Sequence, residues 1–211
     1  MKINSVEFAG AIGQLKQAAP ESIRGLPQVA FAGRSNVGKS SLINRLLGRT
    51  RSPIARVSGE PGKTQEINFY HVQSELGPFC LVDLPGYGYA KVPLAVKAKW
   101  RPLIQGFLTG SEELRGVVQL IDMRHGPSVD DLGSVENLGE LQHPVLFALT
   151  KADKLKPSQR ERAVSEIIEK LGADHAQAIA VSAHSGAGVE ELKDTLGGLL
   201  FGGDDVEEAS T

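Results

Sequence analysis

Gly33-Arg-Ser-Asn-Val-Gly-Lys-Ser40, or GRSNVGKS, follows the short apolar run Val29-Ala-Phe-Ala32 and precedes residues of helical character from about Lys39 to Leu47. A strand, a glycine-bearing loop and a helix in that order, with G-x-x-x-x-G-K-[ST] across the loop, form a phosphate-binding arrangement. Gly33 and Gly38 let the backbone curl, so that the N–H groups of Arg34, Ser35, Asn36 and Val37 point inward at phosphate oxygens. The helix that follows adds its positive end. Lys39 is placed to reach β- and γ-phosphates, the Ser40 hydroxyl to ligate Mg²⁺, and Ser41 stands beside it in the first turn. The competing reading is a structural glycine turn with an exposed lysine. The strand before and the helix after argue against it.

Outward from this loop, apolar runs at Ile67–Val72, Phe79–Val82, Gly116–Ile121, Val145–Leu149 and Ala178–Val181 predict five more strands. Gly77-Pro78 precedes Phe79, so Ile67–Val72 and Phe79–Val82 are expected to form an antiparallel hairpin at the sheet edge. Ser158 and Glu161 have capping-box spacing ahead of a helix carrying Ala163, Val164, Ile167, Ile168 and Leu171. Val189, Leu192, Leu196, Leu199 and Leu200 recur at helical spacing and close the domain. The fold class is α/β. The expected form is three-layered, with a mostly parallel six-stranded sheet, one antiparallel edge strand and helices on both faces. No linker interrupts the pattern, so residues 28–201 read as one nucleotide-binding domain and residues 1–27 as an extension packed on it. GGDDVEEAST, residues 202–211, reads as a disordered acidic tail.

Composition narrows the function classes. The 211 residues are 41% hydrophobic and 23% charged, which excludes a disordered or fibrous chain. The single cysteine, Cys80, excludes an internal disulfide and a cysteine-rich metal site, and fits a reducing compartment. No apolar run reaches the roughly 18 residues of a membrane span, and Glu7 interrupts the start where a signal peptide is apolar. A cytoplasmic monomer without membrane partners is expected. Residues 1–110 hold 14 basic and 6 acidic side chains, while residues 111–211 hold 9 and 19. A basic half fits an anionic partner such as nucleotide or RNA, although solvated faces give the same arithmetic.

Asp83-Leu84-Pro85-Gly86 follows the strand FCLV. A carboxylate there suits Mg²⁺ held through water, and the Gly86 N–H suits a γ-phosphate. Thr150-Lys151-Ala152-Asp153 follows VLFAL. The Asp153 carboxylate can accept from both N1–H and the exocyclic amine of guanine, a donor pair that adenine lacks. Lys151 can lay its apolar stem along the base. Val181-Ser182-Ala183 ends the last strand, where a backbone N–H can donate to the guanine carbonyl. In this order after a phosphate loop, the motifs select GTP and GDP.

GRSNVGKSSLIN, then PGKTQ at Pro61–Gln65, DLPGYGYA at Asp83–Ala90, DMRH at Asp122–His125 and TKADK together resemble the EngB family of GTPases, of the translation-factor-related class. The resemblance spans about Gln28 to Leu200. It implies a bacterial GTPase switch needed for large ribosomal subunit assembly and for normal cell division and septation, with rRNA and ribosomal proteins as partners. It also adds Gly62 and Lys63 to the nucleotide contacts and makes Thr64 the switch threonine that closes on Mg²⁺ and γ-phosphate. Asn36 matches the position where related GTPases hold a monovalent cation, here K⁺, although a loop asparagine also bonds its own backbone.

Tyr87 stands where Ras-like GTPases carry the glutamine that orients water. Either another group positions the water or the ring swings away, and a slow intrinsic rate follows. No catalytic base is assigned. Arg45, Arg49, Arg51 and Arg56, and Lys91, Lys97, Lys99 and Arg101, either meet rRNA phosphates or form solvated faces. Trp100, Arg124, His125 and the remaining histidines read as structural. The rival functions are a P-loop kinase, which the guanine motif disfavours, and a GTP-binding scaffold with negligible turnover.

Overall fold

The computed structural model describes residues 1–55, 66–87 and 94–202. The segments Pro61–Gln65 and Gly88–Ala90, Arg56, and the side chains of Lys91, Lys97, Lys99, Trp100 and Arg101 lie outside the described residues, as does 203–211. The elements in order are β1 (Ile3–Ile12), β2 (Gln28–Gly33), α1 (Lys39–Leu46), β3 (Ile67–Ser74), β4 (Gly77–Asp83), α2 (Leu94–Gly110), β5 (Leu114–Asp122), α3 (Val129–Glu140), β6 (Val145–Thr150), α4 (Pro157–Leu171), β7 (Ala178–Ala180) and α5 (Val189–Phe201).

The strands make one seven-stranded sheet in the order β1-β3-β4-β2-β5-β6-β7. The pairs β2–β4, β2–β5, β5–β6 and β6–β7 are parallel, and β3 runs antiparallel to both β1 and β4. The class matches expectation, but six strands become seven and the antiparallel strand is not at the edge. β1 takes the edge, pairing Ile12 with Ile67 and Ile3 with Ser74 across two register irregularities. Its mixed sequence, INSVEFAGAI, buries only Val6 and Ile12 and so lacks a strand signature. The hairpin turn also lies one step earlier than expected. Gly77 and Pro78 begin β4, and Glu75 and Leu76 make the turn.

Alternation along β2 sorts the core. Val29 and Phe31 face a cluster with Leu42 and Ile43 of α1 and Leu192 and Leu196 of α5. Ala30 and Ala32 face Leu103 and Leu108 of α2 and Leu138 of α3. Ile121, Phe147 and Leu149 continue that second face toward Ile167 of α4. Helices therefore cover both faces, and the central strands carry continuous apolar runs. Cys80 is buried in β4, and burial pushes its thiol up to about 12.

One helix start differs from expectation. Pro157 takes the first position of α4 with no side-chain cap, so Ser158 lies inside the helix rather than at its cap. The capping box belongs to α3, where Ser128 and Asp131 satisfy each other's backbone N–H groups.

β2 lies between β4 and β5, because the chain runs from β2 to β3 and β4 on one side and then crosses to β5 on the other. That topological switch opens a crevice beyond the carboxyl ends of the strands. Among the described residues, no helix is long and apolar enough to cross a membrane.

Candidate nucleotide site

The loop from Arg34 to Gly38 leaves β2 into this crevice. Gly33 leaves little room for a side chain, because a Cβ there would stand 3.0 Å from both Leu120 Cβ and Val37 Cγ1. Gly38 turns the chain into α1 at φ 105°, and its carbonyl accepts the Leu42 N–H at 2.9 Å. Asn36 adopts φ 65° and is exposed. Ser40 and Ser41 lie in the first turn of α1, Ser40 partly buried and Ser41 exposed.

β4 pairs Phe31 with Asp83, which brings that carboxylate beside the loop. Asp83 forms an ion pair with the Lys39 ammonium, and their side chains are only 8% and 11% exposed. Gly86 packs on the loop as well, since a Cβ there would sit 3.2 Å from Ser35 Oγ. The Ser35 N–H donates to the Tyr87 carbonyl at 2.9 Å, and the Tyr87 N–H to the Gly33 carbonyl at 3.3 Å. The Leu84 N–H donates to the Phe31 carbonyl.

The Tyr87 ring enters a buried polar network. Its hydroxyl donates to Asp131 Oδ1 at 2.9 Å and accepts from the Gln119 amide. Gln119 and Asp131 are both fully buried, and Ser134 donates to Gln119. Arg34 Nε lies 3.1 Å from Asp131 Oδ2, an ion pair without hydrogen-bond alignment. Burial, then the Asp131 charge, raises the phenol above its ordinary value of 10.0. Such a phenol cannot serve as a base near neutral pH.

β6 and β7 deliver the remaining motif. The Thr150 hydroxyl lies 2.8 Å from the Val37 carbonyl and 3.2 Å from that of Ile121, fastening β6 to the phosphate loop. Lys151 Nζ donates to the Asn36 carbonyl at 2.8 Å, and its stem passes Gly38. Ser182 Oγ donates to Asp153 Oδ1 at 2.7 Å, which lowers the carboxyl below its ordinary value. The Ser182 N–H donates to Ala187, and the Ala152 N–H to Val181. Residues from Gly33–Ser41, Asp83–Gly86, Thr150–Asp153 and Val181–Ala183 thus meet beyond the carboxyl ends of the strands. Gly62, Lys63 and Thr64 fall outside the described residues.

Three features were invisible in the motifs. Asp122, first residue of the DMRH stretch, binds Arg124 and Lys151, partners that the stretch alone does not reveal. Asn44, 3% exposed, accepts the N–H groups of Ile54 and Ala55 at 2.9 Å and donates to the Ala55 carbonyl. The Tyr87 network is the third. Of the basic side chains, Arg45 packs against Gly186 and Arg49 donates to the Val6 carbonyl, so both are partly engaged within the fold.

Residues 28–151 match the family of 50S ribosome-binding GTPases. The chain is 47% identical over 200 residues to a probable GTP-binding protein EngB of Gemmatimonas aurantiaca, covering 95% of each. The chain belongs to the EngB family. As a member it is a P-loop GTPase, an enzyme that hydrolyses GTP. The crystal structure of a probable GTP-binding protein EngB superposes with a TM-score of 0.65 at 26% identity, over 82% of this chain and 98% of that one. Era bound to MgGDPNP and a 16S ribosomal RNA fragment superposes at 0.62 with 27% identity, over 82% of this chain and 56% of that one. GTPases of this kind work with Mg²⁺ and GTP. The donors here fit that use. Asp83 and Ser40 offer hard oxygens, and among the described residues no cluster of three or more His, Cys, Asp or Glu holds a metal alone. A magnesium ion bound largely by phosphates and water needs only one or two protein ligands.

Proposed function

We propose that this EngB-family chain is a slow GTP-hydrolysing switch that acts in assembly of the large ribosomal subunit, and through it in normal cell division. The observation that carries this reading is the meeting of the phosphate loop, Asp83–Gly86 and Thr150–Asp153 at the carboxyl ends of the parallel strands. In this reading the N–H groups of residues 34–41 and the Lys39 ammonium hold the phosphates. Asp153 accepts from guanine, and Ala183 supplies the N–H to its carbonyl, since Ser182 already donates to Ala187. Ser40, with Thr64 in the GTP state and Asp83 through water, would hold Mg²⁺, which neutralises charge developing on the phosphates. Water attacks the γ-phosphorus, the bond to the β–γ bridging oxygen breaks, and GDP leaves with the electron pair as phosphate forms. Lys39 and the Gly86 N–H stabilise the charge on the transferring group. With the Tyr87 phenol engaged by Asp131, the water has no side-chain orienter at that position, which is the reason for a low rate.

The ribosomal role is supported by the description of the matching family as 50S-binding and by the basic balance of residues 1–110. Thr64 and the chain after Gly86 would order around the γ-phosphate and present that state to the particle. A K⁺ ion beside Asn36 belongs to the same proposal. Phosphate release at fixed ionic strength should then be faster in K⁺ than in Na⁺, and equal rates would remove the ion. A cytoplasmic location accompanies the ribosomal partner. The second reading, a scaffold with negligible turnover, is favoured by the locked Tyr87 alone. Multiple-turnover phosphate release with and without large-subunit particles separates the two. Co-sedimentation with those particles in GDP and in a non-hydrolysable analogue tests the partner. Binding indifferent to nucleotide and to salt would refute the switch.

A further inference from the structure

β5 ends at Asp122, between the strand that feeds the phosphate loop and the strand that feeds Lys151. The Asp122 side chain is 5% exposed. Its Oδ1 accepts the Arg124 backbone N–H at 3.1 Å and Nε at 3.0 Å, and Oδ2 accepts Arg124 Nη2 at 2.7 Å. The Lys151 ammonium lies 2.9 Å from the same Oδ2. Lys151 then reaches onward to the Asn36 carbonyl at 2.8 Å. Lys151 and Asn36 both adopt left-handed backbone, at φ 62° and 65°, a region that asparagine tolerates and that lysine rarely enters. One hydrogen bond joins these two residues, one in each motif, with a buried carboxylate behind the donor. A lysine persists in that region only where the surroundings over-determine it.

We propose that Asp122 is a positioning residue for nucleotide binding, acting through Lys151 to hold the base loop and the phosphate loop in one geometry, a role that rests on guanine nucleotide occupying this site. The carboxylate is directed at Arg124 and Lys151 and acts through the lysine. Without it, the Lys151 ammonium keeps a single carbonyl partner and its four-carbon stem regains rotamer freedom. The stem then no longer presents a fixed apolar wall to the base, and the Asn36 carbonyl loses a positioned donor. Arg124 balances the second half of the Asp122 charge. Its side chain is 39% exposed, so water replaces it more readily than it replaces Lys151.

A double-mutant cycle on GDP affinity and dissociation rate tests this, using labelled GDP with wild type, Asp122→Ala, Lys151→Met and the pair. Asp122→Ala should weaken GDP about tenfold through faster dissociation, the size of one charged hydrogen bond. Lys151→Met should weaken it at least as much, and the double variant no further than Lys151→Met alone. Arg124→Ala should have the smaller effect. Thermal denaturation without nucleotide reports folding separately. Should the alanine variant fail to fold, Asp122→Asn keeps the shape with a neutral acceptor and takes its place in the cycle. A full Asp122 loss persisting in the Lys151→Met background, or an unchanged affinity, overturns the role. If wild type binds no guanine nucleotide, the site assignment itself fails. If it binds and the cycle is additive, only the role of Asp122 fails.

Discussion

Replacing Tyr87 with Phe removes one oxygen and keeps the ring, which isolates what the phenol does. The hydroxyl donates to a buried carboxylate at 2.9 Å and accepts from the buried Gln119 amide. A hydrogen bond to a charged group is worth about 1.5–3 kcal/mol, and the groups left behind set where in that range the loss falls. Asp131 keeps both the Ser128 N–H and hydroxyl on Oδ2, and Gln119 Nε2 keeps a long contact to the Leu120 carbonyl at 3.4 Å. Asp131 Oδ1 loses its donor, but the carboxylate keeps two donors on Oδ2 and Gln119 keeps one contact, so the expected destabilisation is about 2 kcal/mol, inside that range. At about 2–4 °C per kcal/mol for a chain of this size, Tm should fall by about 4–8 °C. The two backbone bonds that dock Tyr87 on the phosphate loop involve no phenol and survive the change. Single-turnover hydrolysis should therefore stay within about threefold of wild type, a barrier change of under about 1 kcal/mol. Thermal denaturation without nucleotide and single-turnover phosphate release give the two numbers. An unchanged Tm together with a hydrolysis rate lowered by about two orders of magnitude would place the phenol in the chemistry and refute the reasoning.

Asp153→Asn should weaken GTP by about 2–4 kcal/mol and raise the preference for xanthosine triphosphate, because an amide no longer accepts from both guanine donors. A titration showing unchanged GDP affinity in that variant would reject the base assignment. For Asp122, burial opposes ionisation, but the Arg124 and Lys151 hydrogen bonds outweigh it and hold the carboxyl well below its ordinary 3.8. A depressed folded-state value contributes stability above pH 3.8 that is lost as pH falls toward the folded value. Urea midpoints of wild type and Asp122→Asn should therefore differ at neutral pH and begin to converge only as pH falls below about 4, whereas a gap constant with pH would contradict the ion pairing.

The phosphate loop, Asp83–Gly86 and Thr150–Asp153 were readable because each is a short segment whose chemistry depends on spacing along the chain. The features that escaped depend on distance across the sheet. Tyr87 meets Asp131 across 44 residues and Gln119 across 32, and no local pattern links them. The Ser128–Asp131 box obeys the same spacing rule as Ser158–Glu161, yet Pro157 decides the second case, because its fixed φ starts a helix where its missing N–H costs nothing. β1 escaped for a different reason. One face of an edge strand is half covered, so INSVEFAGAI has little apolar pattern to display. Asp122 is the most instructive of these. As the first residue of the DMRH stretch it reveals no partner, but the order β2-β5-β6 sets its carboxylate between two motif-bearing loops. Parallel strands with a switch in their order gather their carboxyl ends regardless of sequence separation. The residue that ends the strand between two motif strands is therefore the one best placed to tie the motifs together, and here it is the residue that holds Lys151.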